Sequence, residues 1–229
     1  MPDLSLVQKI AIWVVPVLLG ITVHEVAHGW IARKLGDDTA FMLGRLTLNP
    51  LKHVDPMGTI LIPGMLLLLQ TGFIFGYAKP VPINWKKLRQ PKRDMALVAV
   101  AGPVSNLLMA VGWALLLRLG LMLGDNGDAL VYMGVAGITI NAILMVLNLL
   151  PLPPLDGGRV LTGLLPGPWA YQFSRIEPYG FFILIGLLVT GILGMILWPL
   201  ISYFMSMMVP VSGLSAQKFQ LLLLVLMGK

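Results

Sequence analysis

Residues 12–35 read IWVVPVLLGITVHEVAHGWIARKL, an apolar run with His24, Glu25 and His28 set into its second half before Arg33 and Lys34 close it. A helix needs about 20 apolar residues to cross a hydrocarbon layer, and this run is long enough. Ionisable side chains inside such a segment are expensive and are normally kept for function. Helical positions i and i+4 lie about 40° apart around the axis, so His24 and His28 share a face. Two imidazoles at that spacing suit one Zn2+, with the intervening glutamate near enough to serve as a base. A purely structural reading, two histidines hydrogen-bonded between helices with Glu25 as partner, uses the same residues. Against it, two of the chain's three histidines fall in this one motif.

The surrounding composition says the same about the solvent. Of 229 residues, 57% are hydrophobic and only 11% charged, with a mean hydropathy of +0.86. Soluble domains carry about 25% charged residues, so the missing charge points to lipid. The expectation is an all-α polytopic membrane protein. A β-barrel is disfavoured because apolar runs such as 66–69 and 221–224 are continuous rather than alternating. The whole chain, 1–229, reads as one membrane-embedded domain, with a catalytic core over about 5–165 and C-terminal helices over about 178–228. The net charge of +6 gathers in Lys86, Lys87, Arg89, Lys92 and Arg93 between apolar segments. The positive-inside rule expects that placement, so nucleic acid is not called for as a partner. With no cysteine there is no thiolate ligand or nucleophile. The N-terminus shows no basic region followed by a small-residue cleavage site, so no removable signal peptide is expected.

About five to six transmembrane helices are expected: one over 5–35, an interrupted stretch at 57–77 broken by Pro63-Gly64, long segments at 95–123 and 129–150, and one or two within 179–227. Pro199 and Pro210 blur the last boundaries. Alternation at Phe41, Leu43, Leu46 and Leu48 predicts an extended or β segment over 40–56. AKPVPIN (78–84) is expected to be extended because two prolines sit two residues apart. Residues 124–128 (GDNGD) form a polar turn, and 159–178 suit an interfacial stretch.

Two histidines leave a catalytic zinc one protein ligand short. Among the acidic residues Asp156 stands out, in the run NLLPLPPLDGG (148–158). Its prolines break a helix and Gly157-Gly158 permit a tight backbone that would aim the carboxylate inward. An ordinary helix cap accounts for it equally well.

HEVAH (24–28), Ala101-Gly102-Pro103-x-x-Asn106, and Asn148 followed by Pro153-x-x-Asp156-Gly157 together resemble the site-2 protease family of intramembrane zinc metalloproteases, over about residues 15–165. The resemblance implies that Asp156 is the third zinc ligand, that one Zn2+ is held per chain, and that Asn106 and Asn148 contact substrate or the oxyanion. It further implies a single-span membrane protein or peptide as substrate, in the plasma membrane of a prokaryote. Nothing here reads as a PDZ or CBS domain, and no apolar segment precedes the HEVAH helix.

Geometry then constrains the path. The histidines lie toward the C-terminal end of their helix, and the 95–123/129–150 hairpin returns both its outer ends to one side. For Asp156 to reach the histidines, the basic loop at 84–94 must share that side, and 57–83 must leave and return without a net crossing. A re-entrant helix broken at Pro63-Gly64, or a helix followed by AKPVPIN returning in extended form, would satisfy this, since irregular backbone at membrane depth is tolerated where protein or water covers it. Arg33, Lys34, Arg45, Lys52 and the 86–93 cluster then fall on the site's side, which reads as cytoplasmic. Two readings of these extended segments stand open: one of them offers a substrate an edge to pair with, or both are merely structural loops.

The expected chemistry is peptide hydrolysis with zinc-activated water and Glu25 as general base. His53 and Asp55 either line a water path or serve as turn residues. A membrane zinc hydrolase of a lipid or small amide shares every metal residue. A metal transporter is less well supported, because few further polar ligands lie along the membrane.

Overall fold

A computed structural model describes residues 4–61, 65, 76 and 78–228. Helix α1, Leu6–Lys34, starts at a reciprocal cap: Ser5 Oγ accepts from the Gln8 N–H and Gln8 Oε1 from the Ser5 N–H. It runs through Pro16 and ends in Arg33 and Lys34, whose charge suits the negative helix end. A short helix α2 follows, Thr39–Met42, then single turns at Pro50–Lys52 and Pro56–Leu61. Helix α3, Pro91–Met122, opens with proline at a first-turn position, where no N–H is missed. A tight turn at Gly124–Gly127 leads into α4, Asp128–Asn148. Then come α5 (Asp156–Leu164), α6 (Gly167–Ser174), α7 (Glu177–Val189), α8 (Ile192–Ser212) and α9 (Ala216–Met227).

The α3–α4 hairpin forms the centre. Its helices approach closely because α4 carries small residues there: a Cβ on Gly137 would lie 2.2 Å from Trp113 Cγ, and one on Gly134 2.5 Å from Leu117 Cβ. Helices packed in lipid gain chiefly from such close contact. Around the hairpin, α8 and α9 add Leu197, Ile201, Phe204 and Phe219 to the buried core.

Among the described residues four helices are long and apolar enough to span a membrane: α1, α3, α4 with its preceding turn, and α8. Of the one or two spans expected within 179–227 one is present, α8, and most of the expected stretch at 57–77 lies outside the described residues. At 13 residues α7 extends only about 20 Å and α9 even less, short of a hydrocarbon core of about 30 Å. Pro199 and Pro210 do not end a helix; both lie inside α8, whose limits are Gly191 and Gly213 at φ 76° and 78°. Neighbouring helices can shelter a proline that would break a lone helix in water.

No strand occurs among the described residues. The alternation at 41–48 misleads because Phe41, Met42 and Leu43 are all exposed. In a lipid-embedded chain an apolar residue need not face a core. Locally, the Asp37 carboxylate accepts from the Thr39 N–H and starts α2. Residues 78–84 belong to no helix or ladder, and the proposed break at Pro63-Gly64 lies outside the described residues.

The ends of the 36–88 excursion nevertheless meet. The Arg89 N–H donates to Leu35 O at 3.1 Å, and the Asn84 N–H donates to Asp37 Oδ2 at 2.7 Å. The chain that leaves α1 thus rejoins α3 at the same end of the bundle.

Candidate metal centre

Helices α1 and α3 meet along two antiparallel stripes, each stepping by one helical turn. Gly20, His24 and His28 on α1 face Asn106, Gly102 and Val98 on α3. The His28 Nδ1–H donates to Val98 O at 2.7 Å. His24 Nδ1 lies 2.6 Å from Asn106 Oδ1, and the Asn106 amide donates to Gly20 O at 3.2 Å and to Asn141 Oδ1 at 2.9 Å. Gly102 is the gap between these contacts. A Cβ there would sit 2.4 Å from His28 Nε2 and 2.6 Å from His24 Nε2.

These bonds fix both ring tautomers. A carbonyl oxygen only accepts, so His28 Nδ1 carries hydrogen. The Asn106 NH2 is committed to two acceptors, so its oxygen faces His24, whose Nδ1 also carries hydrogen. Both Nε2 atoms are therefore free as lone pairs, 3.0 Å apart. Asp156 brings a third acceptor, its Oδ2 3.2 Å from each of them. That oxygen is buried and has no hydrogen-bond donor. Three lone pairs at 3.0–3.2 Å repel unless a cation lies among them. One added proton relieves one contact and leaves the others; a divalent ion relieves all three. Tetrahedral zinc with N and O ligands at about 2.0–2.2 Å separates neighbouring ligand atoms by about 3.3 Å. The donor set and its spacing fit such an ion, and these side chains form a group able to hold a metal.

Asp156 is placed by a chain that folds tightly on itself. It opens α5, just beyond the end of α4. A Cβ on Gly157 would lie 2.3 Å from Leu149 O, and one on Gly158 2.4 Å from Pro153 N. The two glycines let α5 begin directly against the backbone of the turn.

Glu25 sits beside the group, partly exposed, and its Oε2 accepts the Val81 N–H at 2.7 Å. The 78–84 segment is tied down around that contact. The Arg45 guanidinium donates to Lys79 O at 3.1 Å and Pro80 O at 3.3 Å, and the Lys79 N–H donates to His53 O at 2.9 Å. Pro80 and Pro82 have no N–H, so the segment's flanks are poor in donors for a further strand.

Asn106, expected to contact substrate or the oxyanion, is fully buried, with its oxygen facing His24 and its NH2 donating to Asn141 and Gly20. Asn148 is half-buried, and its amide donates to Leu144 O one turn back. His53 donates through Nε2 to Thr47 O at 2.9 Å, and Asp55 Oδ1 caps the Met57 and Gly58 N–H groups. Those are turn contacts. Sequence reasoning missed Val98, which acts through its backbone; Gly102 stands in the motif one turn before Asn106, but without a sign there of its role in leaving room for the two rings.

The fold and this group define a helical membrane protein with a candidate metal centre; relatives identify its family. Over 194 residues, covering 82% of this chain and 85% of the relative, it is 42% identical to "Putative zinc metalloprotease YwhC" of Bacillus subtilis. It is 32% identical over 188 residues to "Putative zinc metalloprotease Rip2" of Mycolicibacterium smegmatis, covering 82% of this chain and 70% of the relative. A third relative, "Putative zinc metalloprotease MJ0611" of Methanocaldococcus jannaschii, is 31% identical over 142 residues, 62% of this chain and 64% of the relative. No family model and no solved structure matches the chain. The chain belongs to the zinc metalloprotease family that YwhC and Rip2 represent.

Proposed function

We propose that this protein is an intramembrane zinc metalloprotease of the site-2 type, holding one Zn2+ per chain through His24, His28 and Asp156. Its substrates are single-span membrane proteins or peptides, and Glu25 is its general base. The observation that carries this reading is the convergence of three lone pairs on one point beside a glutamate, inside a helical membrane chain.

A zinc ion held there supplies an acidified water and an electrophile for a carbonyl oxygen. The residues supply the rest. Glu25, with Oε2 held by Val81, keeps Oε1 available to take a water proton and pass it to the leaving amine. Asn148 has an amide hydrogen left for a developing oxyanion. Val98 and Asn106 hold the two rings so that no reorganisation is needed as charge builds. The bacterial and archaeal relatives favour a prokaryotic plasma membrane. Arg33, Lys34 and the 86–93 cluster at the site's end favour a cytoplasmic orientation for it.

Transport of metal fits less well, because the buried asparagines near the site are paired with one another and with His24 rather than spaced along a path. Glu25→Gln separates the classes. Peptide hydrolysis should fall by at least about 100-fold while zinc content stays at that of the wild type. Membrane proteomics of a Glu25→Gln strain should show an uncut single-span protein accumulating. Accumulation of a lipid or small amide instead would assign the site to that substrate.

A further inference from the structure

We infer that Asn141 is a positioning residue for the metal centre, acting through Asn106 to hold His24 in its metal-binding tautomer. This rests on the zinc reading above.

The bonds run in one sense. The Asn141 amide donates to Gly137 O at 2.8 Å, one turn back on its own helix, so its carbonyl oxygen points the other way. That oxygen accepts from the Asn106 amide at 2.9 Å. Asn106 Oδ1 is thereby left for the His24 Nδ1–H at 2.6 Å. Both asparagines are 0% exposed, so water does not compete. The relay crosses three helices: α4 orients a side chain on α3, which orients a ring on α1. Gly20 permits the approach, since a Cβ there would lie 3.3 Å from Asn141 Oδ1.

An asparagine alone does not define a tautomer, because its amide can rotate by 180°. Rotated, Asn106 would present NH2 to His24, Nδ1 would become the acceptor, and the hydrogen would move to Nε2, where it blocks the metal. With Asn141 in place the rotated state sets Asn106 Oδ1 against two acceptors, Asn141 Oδ1 and Gly20 O. An unsatisfied buried polar contact of that kind costs about 1–3 kcal/mol. Without Asn141, one of the two acceptors is gone and the rotated state gains population. Outer partners of metal-binding histidines commonly contribute about 10- to 100-fold in metal affinity.

The test is a double-mutant cycle on zinc affinity, measured on the full-length protein in detergent by competition with a chromogenic chelator. Asn141→Leu should weaken zinc binding about tenfold, and Asn106→Leu by as much or more. The double variant should match Asn106→Leu alone, since Asn141 acts only through Asn106. Substituted Co2+ should show an altered visible spectrum in Asn141→Leu, while the thermal midpoint of the metal-free protein stays within a few degrees of the wild type. Unchanged affinity in Asn141→Leu beside a weakened Asn106→Leu overturns the inference and leaves the zinc reading intact. Additive losses together with a lowered metal-free midpoint would likewise overturn it, since Asn141 would then only pack α4 against α1. Absence of zinc binding in the wild type would overturn both.

Discussion

The Val81 N–H donates to Glu25 Oε2 at 2.7 Å, joining residues 56 positions apart. Because Pro80 and Pro82 carry no N–H, Val81 supplies the one backbone donor within 80–82. A hydrogen bond to a charged group contributes about 1.5–3 kcal/mol. Val81→Pro removes the donor without adding a charge or a long side chain. It should lower kcat by about 10- to 100-fold with zinc content unchanged, while Val81→Ala, which keeps the N–H, retains most of the activity. Equal losses in both variants would assign the contact to packing.

Gly102→Ala tests the gap between the stripes. Its Cβ would fall within 2.6 Å of both Nε2 atoms, a separation that the rings relieve only by leaving the metal position. Zinc content of the purified protein, read by atomic emission, should drop to a small fraction of the wild type. Alanine would otherwise favour the helix by about 1 kcal/mol, so a variant that keeps its fold and loses its metal is the expected pattern. Full zinc occupancy would show that the stripes sit further apart than they do here.

Removal of the ion should be reversible and should depend on Asp156. A strong chelator should abolish hydrolysis, and zinc should restore it. Asp156→Ala leaves two imidazoles and no carboxylate, so its zinc affinity should fall by about 100-fold or more. If Asp156→Ala bound zinc as tightly as the wild type, the third ligand would have to be sought elsewhere.

At the α3–α4 crossing, Gly137→Ala places a methyl group 2.2 Å from Trp113 Cγ. Overpacking of this kind destabilises by about 1–3 kcal/mol. Thermal melts in detergent should show the loss, whereas Gly112→Ala, on the same hairpin with nothing within 4 Å, should be neutral or mildly stabilising.

Much of this architecture is written into the sequence. The segment boundaries at 95–123 and 129–150 fall within a few residues of α3 and α4, because continuous apolar runs bounded by a glycine-rich polar turn admit few alternatives. HEVAH puts both rings on one face by spacing alone, and in the structure their Nε2 atoms lie 3.0 Å apart. Asp156 reads equally as cap or ligand in the sequence; the structure sets its Oδ2 3.2 Å from both histidine Nε2 atoms, with Gly157 and Gly158 packed tightly behind it. Other features leave little trace. Val98 contributes a carbonyl that any residue would provide, and the direction of Asn106 depends on a partner 35 positions away. Alternation at 41–48 misleads, and the prolines of α8 leave its limits unreadable, for a shared reason: rules learned in water expect a core face and a helix break where lipid and neighbouring helices impose neither.

The hydrogen bond between Leu35 and Arg89 has an evolutionary consequence. It joins the two feet of the 36–88 excursion at the end of the bundle where α1 stops and α3 starts, so the position of α3 against α1 does not depend on how far the chain travels in between. The entropy of closing a loop rises only slowly with its length. Residues can therefore be gained or lost along the excursion while α1 and α3, and the His24–His28–Asp156 group, stay in register; under the proposed function this would alter what meets a substrate without disturbing the site. Diversification of specificity within the family is expected to concentrate there.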